Sequence, residues 1–178
     1  MNSSTLTSDL YCVMGNPVAH SRSPAIHARF AELTGQQLRY ERRLIALDGF
    51  ARGVRDFIAE GGRGCNITVP FKFDARDAAQ HLSERATLAE AVNTLSFRDD
   101  GVHGDNTDGV GLVHDIERNA GVPIAGRDVL LIGAGGGASG VLGPLLAAGA
   151  RRVVVANRTL AKAITLVQRH AALALAHH

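Results

Sequence analysis

Side chains able to do chemistry gather in four places along this sequence. Ser21 and Ser23 stand just ahead of Pro24; Asn66, Thr68 and Lys72 surround Pro70; Asn93, Asp105, Asn106 and Asp108 follow further on. The fourth place is a small-residue run, Gly133, Ala134, Gly135, Gly136, Gly137 and Ala138, directly after Val129–Leu130–Leu131–Ile132. The first three offer hydroxyls, amides, carboxylates and an ammonium, which is equipment for holding a small polar ligand and moving a proton. Each also has a plainer reading. Ser23 and Asp108 suit helix N-caps, Asn66 and Thr68 suit local backbone bonding, and Lys72 suits a solvated charge. Loop ends on one rim of a sheet can nevertheless converge on a shared ligand. Lys72 lies just past a strand stopped by Pro70, at the C-terminal mouth where open α/β sheets take ligands.

The glycine run points to a diphosphate. Four apolar residues form a short strand expected to be buried on both faces, and the glycines turn it into a helix. Gly133 permits the tight bend, Gly135 lets the backbone approach a pyrophosphate, and Ala138 is small enough for the helix to pack on its strand. The anion would sit at the helix N-terminus. A second apolar strand, Val153–Ala156, follows at βαβ spacing and ends in Asn157–Arg158–Thr159, with Lys162 nearby. An acidic residue there would bond the ribose 2′-hydroxyl of NAD; its absence and the guanidinium of Arg158 suit the 2′-phosphate of NADP instead.

The elements that must position these groups alternate between strand and helix. Leu10–Met14, Leu38–Ala46 and Gly64–Val69 read as strands, while about Ala25–Leu33 and Phe50–Ala59 read as helices, the latter amphipathic. Ser83–Ala91 reads as a helix, and Asn93–Phe97 with Val102–Asp105 as a hairpin around Asp100–Gly101. A helix starts at Thr107 or Asp108 and runs to Asn119, and another begins near Ala161. The fold expected is α/β: an open α/β substrate domain over residues 1–105, then a linker helix and the first half of a doubly wound Rossmann domain over 106–178.

Composition narrows the function classes. The 178 residues carry a net charge of +2, with a pI near 8.8. That is too mild a charge for a nucleic-acid binder, and no Lys/Arg block supports one. Cys12 and Cys65 each lie in an apolar run without a C-x-x-C pair, so two reduced, buried thiols in a cytoplasmic protein are expected. Met1–Asp9 reads as neither signal peptide nor membrane span. The eight histidines show no ligand spacing, His177–His178 being native or appended, and no metal is assigned.

Taken together, the motifs resemble the shikimate dehydrogenase family. The resemblance rests on Gly15–His27, Gly64–Lys72, Ala91–Thr94, Gly104–Gly109, Gly133–Ala138 and Asn157–Thr159, in family order over nearly the whole chain. It implies a two-domain enzyme that reduces 3-dehydroshikimate to shikimate with NADPH, on the route to aromatic amino acids. By the same resemblance, Ser21 and Ser23 hold the substrate carboxylate and Thr68 and Asn93 hold its hydroxyls. Lys72 is the catalytic lysine and Asp108 its partner. Hydride addition to a ketone leaves an alkoxide that must take a proton, and an ammonium in reach stabilises that charge and donates.

The sequence departs from the family at its end. Only strand, helix, strand and helix of the nucleotide domain are present, and the family's later substrate-contacting tyrosine and glutamine have no counterpart. The chain is therefore expected to be a fragment, with little activity alone and with open, self-associating strands. A quinate-using NAD enzyme and a non-catalytic shikimate-binding module are the alternatives. A homodimer is compatible with all three.

Overall fold

The computed structural model describes residues 8–176; Met1–Thr7 and His177–His178 lie outside it, and with them most of Met1–Asp9, read from the sequence as neither signal peptide nor membrane span, and the terminal histidine pair. Strand β1 (Asp9–Gly15) is the centre of the first unit. It pairs in parallel with β2 (Leu38–Leu44) on one side and β3 (Gly62–Ile67) on the other. β5 (Thr94–Arg98) pairs antiparallel with β3 and with β6 (Gly101–Asp105), and the two-residue β4 (His81–Leu82) closes the far edge against β6. The six strands run in the order β2-β1-β3-β5-β6-β4.

One face of this sheet holds the main core. Leu10, Cys12 and Met14 of β1 and Cys65 and Ile67 of β3 point to it at period two, as a half-buried strand should. Helix α2 (Phe50–Ala59) covers them with Phe50, Val54 and Phe57, spaced to form a single stripe. Each such side chain contributes about 1.5–3 kcal/mol on burial. Helix α1 (Ser23–Thr34) lies against β2 and β1. It opens with Pro24 in its first turn and stops at Gly35, whose φ is 69°. Cys12 and Cys65 are buried, unbridged and paired across β1 and β3. Hydrogen bonding to Cys12, together with burial, pushes the Cys65 thiol up.

The helix expected over Ser83–Ala91 is present as α4 (Glu84–Ala89), while the sequence reading missed two elements, α3 (Lys72–Ala78) and β4. Both are too short for a periodic signal. Ser23 is also not the cap expected of it: Arg22 occupies the N-cap, and its side chain makes no capping hydrogen bond.

The second unit begins with α5 (Asp108–His114), which widens into a π-helical turn over Asp115–Asn119. Strands β7 (Asp128–Ile132) and β8 (Arg152–Ala156) pair in parallel, joined by α6 (Gly136–Ala147) and followed by α7 (Leu160–Ala176). Val129 and Val153 face a small core of Ile124, Leu145 and Ala150. The expectation that β7 is buried on both faces fails: Leu130 and Ile132 are 62% and 79% exposed. Among the described residues the helices cover only the opposite face of this two-stranded sheet. No helix of the described chain is long and apolar enough to cross a membrane.

Candidate active site

Three of the polar clusters converge. β3 ends at Ile67, the chain turns through Thr68–Phe71, and Lys72 then opens α3 rather than standing in a loop. Asn93 is fixed just ahead of β5, donating its N–H to Asp105 O at 3.0 Å and accepting from Ile67 N at 2.7 Å. Asp108 opens α5. A cavity of about 340 Å³ is lined by Ser21, Ser23, Thr68, Lys72, Asn93 and Asp108, with Asn66, His20 and His27 beside them.

Four of its lining residues, Lys72, Asp108, Asn93 and Asn66, belong to one chain of hydrogen bonds that continues through Thr94 and Tyr40 outside the lining. Lys72 Nζ donates to Asp108 Oδ2 at 2.5 Å, and both side chains are largely shielded, at 16% and 24% exposure. Asn93 Nδ2 donates to the other carboxylate oxygen at 2.8 Å. Thr94 Oγ1 donates to Asn93 Oδ1 at 2.9 Å, Asn66 Nδ2 to Thr94 Oγ1 at 3.2 Å, and Tyr40 OH to Asn66 Oδ1 at 2.6 Å. Every donor points toward Asp108, so the bonds polarise one another in the same sense. Burial, aided by the neighbouring thiols, pushes the Tyr40 phenol up and keeps it a donor.

At the opposite wall Ser21 Oγ donates to Ser23 Oγ at 3.1 Å, and Ser23 N donates to Ser21 Oγ at 3.3 Å. Two hydroxyls side by side, each with an O–H to donate, suit the two oxygens of a carboxylate. Arg42 holds the turn that carries them, donating from Nε and Nη2 to Ser21 O at 2.8 and 2.6 Å. Sequence reasoning noticed Asn66 without assigning it and missed Tyr40, Thr94 and Arg42. Their signal lies in cross-strand partnership, which no linear spacing reports.

Asp105 and Asn106, grouped with these residues by sequence, serve the framework instead. Arg85 and Ser83 donate to the Asp105 carboxylate at 2.5–2.7 Å and hold its pKa down to about 2. Asn106 is buried; it donates to Ala91 O at 2.8 Å and accepts from Asp108 N at 3.2 Å.

The glycine run meets this cavity. Gly133 has a φ of 114°, which only glycine adopts readily, and its N–H donates to Ala156 O at 2.7 Å. That bond sets the loop beside Asn157, Arg158 and Thr159 at the end of β8. A Cβ on Gly135 or Gly137 would meet nothing within 4 Å, and no side chain caps the N-terminus of α6. The exposed backbone N–H groups therefore fit a diphosphate. A Cβ on Gly136 would stand 3.0 Å from Lys72 Cβ, so the loop abuts the lysine. Ala134, Gly135 and Lys162 line a cavity of about 320 Å³. Asn157 Nδ2 donates to Thr159 O at 2.8 Å, and Arg158 is exposed, with no ion-pair partner among the described residues.

Comparison with known proteins gives consistent matches across both units. A model described as the shikimate dehydrogenase substrate binding domain matches residues 13–95, and one described as shikimate / quinate 5-dehydrogenase matches residues 116–177. A shikimate dehydrogenase (NADP(+)) of Verminephrobacter eiseniae (strain EF01-2) is 70% identical over 94% of this chain and 59% of its own length. One from Acidovorax sp. (strain JS42) is 66% identical over 96% of this chain and 60% of its own. Among solved structures, shikimate 5-dehydrogenase from Thermus thermophilus in complex with NADP(H) and shikimate superposes with a TM-score of 0.83 at 33% identity, covering 92% of this chain and 61% of that one. The chain thus spans about 60% of the length of the curated relatives it matches.

Proposed function

The chain belongs to the shikimate dehydrogenase family, and from that premise we propose that it carries the shikimate site and the diphosphate-binding part of the NADP site of an NADP-dependent shikimate dehydrogenase. The reaction is reduction of 3-dehydroshikimate to shikimate, in aromatic amino acid biosynthesis. We further place the division between substrate and nucleotide domains at residues 105/106, and the enzyme in the cytoplasm.

In this reading Ser21 and Ser23 bind the substrate carboxylate through their two hydroxyls. Thr68 and Asn93 hold ring hydroxyls, and the chain of bonds from Tyr40 keeps the Asn93 amide oriented. NADP, when bound, gives or takes the hydride. The residues that would hold it are Gly133, Ala134, Gly135, Gly136, Gly137 and Ala138 at the diphosphate, and Asn157, Arg158, Thr159 and Lys162 at the 2′-phosphate. Lys72 meets the alkoxide that forms at the reduced carbon and donates a proton from Nζ to its oxygen. Asp108, 2.5 Å from Nζ, fixes where that proton is presented.

The observation that carries the reading is the shielded Lys72–Asp108 pair in the same cavity as the paired serines, with Gly136 against the lysine. In the whole protein, Lys72→Ala is expected to lower kcat by about 10²–10⁴ while changing the shikimate Kd far less. A variant with unchanged kcat removes Lys72 from the proton transfer.

A further inference from the structure

Outside the cavity, one group of side chains is arranged as a ligand set. His81 of β4 and His103 of β6 are direct partners in a parallel pair, so their side chains leave the same face of the sheet. The two rings lie 4.5 Å apart between centroids, tilted by 30°. Asp100, in the turn between β5 and β6, reaches back to them. Its Oδ1 lies 2.8 Å from His103 Nε2, and its backbone O lies 3.1 Å from His81 Nε2. One ligand atom from each of the three residues lies within 4.8 Å of the others.

We propose that His81, Asp100 and His103 form a binding site for one late first-row divalent cation of the Zn²⁺ type. Two imidazoles and one carboxylate are the donors such ions prefer, and they discriminate against Mg²⁺ and Ca²⁺, which take oxygen ligands. Around a tetrahedral Zn²⁺, ligand atoms bonded at about 2.0–2.2 Å stand roughly 3.4 Å apart. From the 4.8 Å within which these atoms lie, the cluster needs to close by about 1.4 Å at its widest, a movement that the exposed side chains of His81 and Asp100 can supply. The Asp100 backbone carbonyl, an acceptor, orients His81 by taking the N–H of one ring nitrogen and leaving the other for the metal. Three protein ligands leave a fourth position for water.

The site is separate from the proposed active site and opens on a shallow concavity of about 290 Å³. An ion there would tie β4, the β5–β6 turn and β6 together at the far edge of the sheet. That edge otherwise ends in a two-residue strand, so binding to the folded state would stabilise it by linkage.

Spacing hid this set from the sequence. Asp100 and His103 are near neighbours, but His81 joins them only through the pairing of β4, an element without a sequence signal.

The test is a Zn²⁺ titration of the 178-residue chain against a chromophoric chelator, with Mg²⁺ in a parallel arm. One equivalent of Zn²⁺ and no Mg²⁺ is expected to bind, with a matching rise in the unfolding midpoint. His81→Ala and His103→Gln should each weaken Zn²⁺ more than about tenfold and abolish the rise in midpoint. Removing the terminal pair, with His177→Ala and His178→Ala together, should change neither. No binding by the parent chain overturns the proposal, as do His81→Ala and His103→Gln variants that titrate like it. So does binding lost with the terminal pair alone.

Discussion

Arg158 lies two residues past the end of β8, the strand that pairs with the glycine-loop strand β7. A guanidinium there suits a 2′-phosphate, to which it can donate charge-assisted hydrogen bonds, as proposed above. In the whole protein, Arg158→Ala is therefore expected to weaken NADP by about 1.5–3 kcal/mol and leave NAD almost unchanged; binding titrations with both cofactors measure it, and equal losses refute the assignment. Candidates of this kind can be picked out in the sequence, because Arg158, Lys72, Asp108 and the paired serines sit in short local motifs. Tyr40, Thr94 and Arg42 cannot. Tyr40 reaches Asn66 across 26 positions and Arg42 reaches Ser21 across 21, so their roles exist only once β1, β2 and β3 are paired.

Helix α6 shows how closely the elements approach one another. A Cβ on Gly140 would stand 2.6 Å from the Asn106 amide oxygen, whereas one on Gly137 would meet nothing within 4 Å. Gly140→Ala is expected to destabilise by about 1–3 kcal/mol through overpacking. Gly137→Ala should be neutral or stabilise by up to about 1 kcal/mol, since alanine is the better helix former. Denaturant midpoints of the two variants decide it, and equal effects would place α6 differently. Helix α7 carries a second device. His170 is buried, its Nε2 has no partner, and burial lowers its pKa; Arg169 and Glu90 are the charged groups beside it. A histidine depressed in the folded state costs nothing above its unfolded value of about 6.5 and destabilises progressively as pH falls below it. Amide exchange over Leu160–Ala176, corrected for intrinsic rates, is expected to accelerate from neutral pH toward acid. His170→Leu should flatten that response, and an unchanged slope in the variant contradicts the assignment. At this scale the sequence served best where a period was long enough. The expected Phe50–Ala59 helix and the Asp100–Gly101 hairpin are both present. The two-sided burial of β7 was misread because an apolar run does not say how many layers cover it.

The two units differ in how much they bury, and they meet where helix α4 (Glu84–Ala89) packs on α6. The first has a continuous core from Leu10 to Leu95, the second a cluster around Ile124, Leu145 and Ala150. Between them run the Asn106–Gly140 contact, the Lys72–Gly136 contact and the ion pair of Arg169 with Glu90 at 2.5 Å. The alternation of strands and helices made the α/β class and the order of units legible. The meeting of the glycine loop with Lys72 was not, since it depends on how α5 and α6 cross. The central claim is that Ser21, Ser23, Thr68, Lys72, Asn93 and Asp108 together bind shikimate. Titrating shikimate into the isotopically labelled 178-residue chain while following its amide resonances tests this directly. Saturable shifts confined to Gly15–Ser23, Ile67–Lys72 and Asn93–Asp108, and lost in a Ser21→Ala, Ser23→Ala variant, are the predicted result. Shifts centred elsewhere, or binding indifferent to the two serines, would contradict the account.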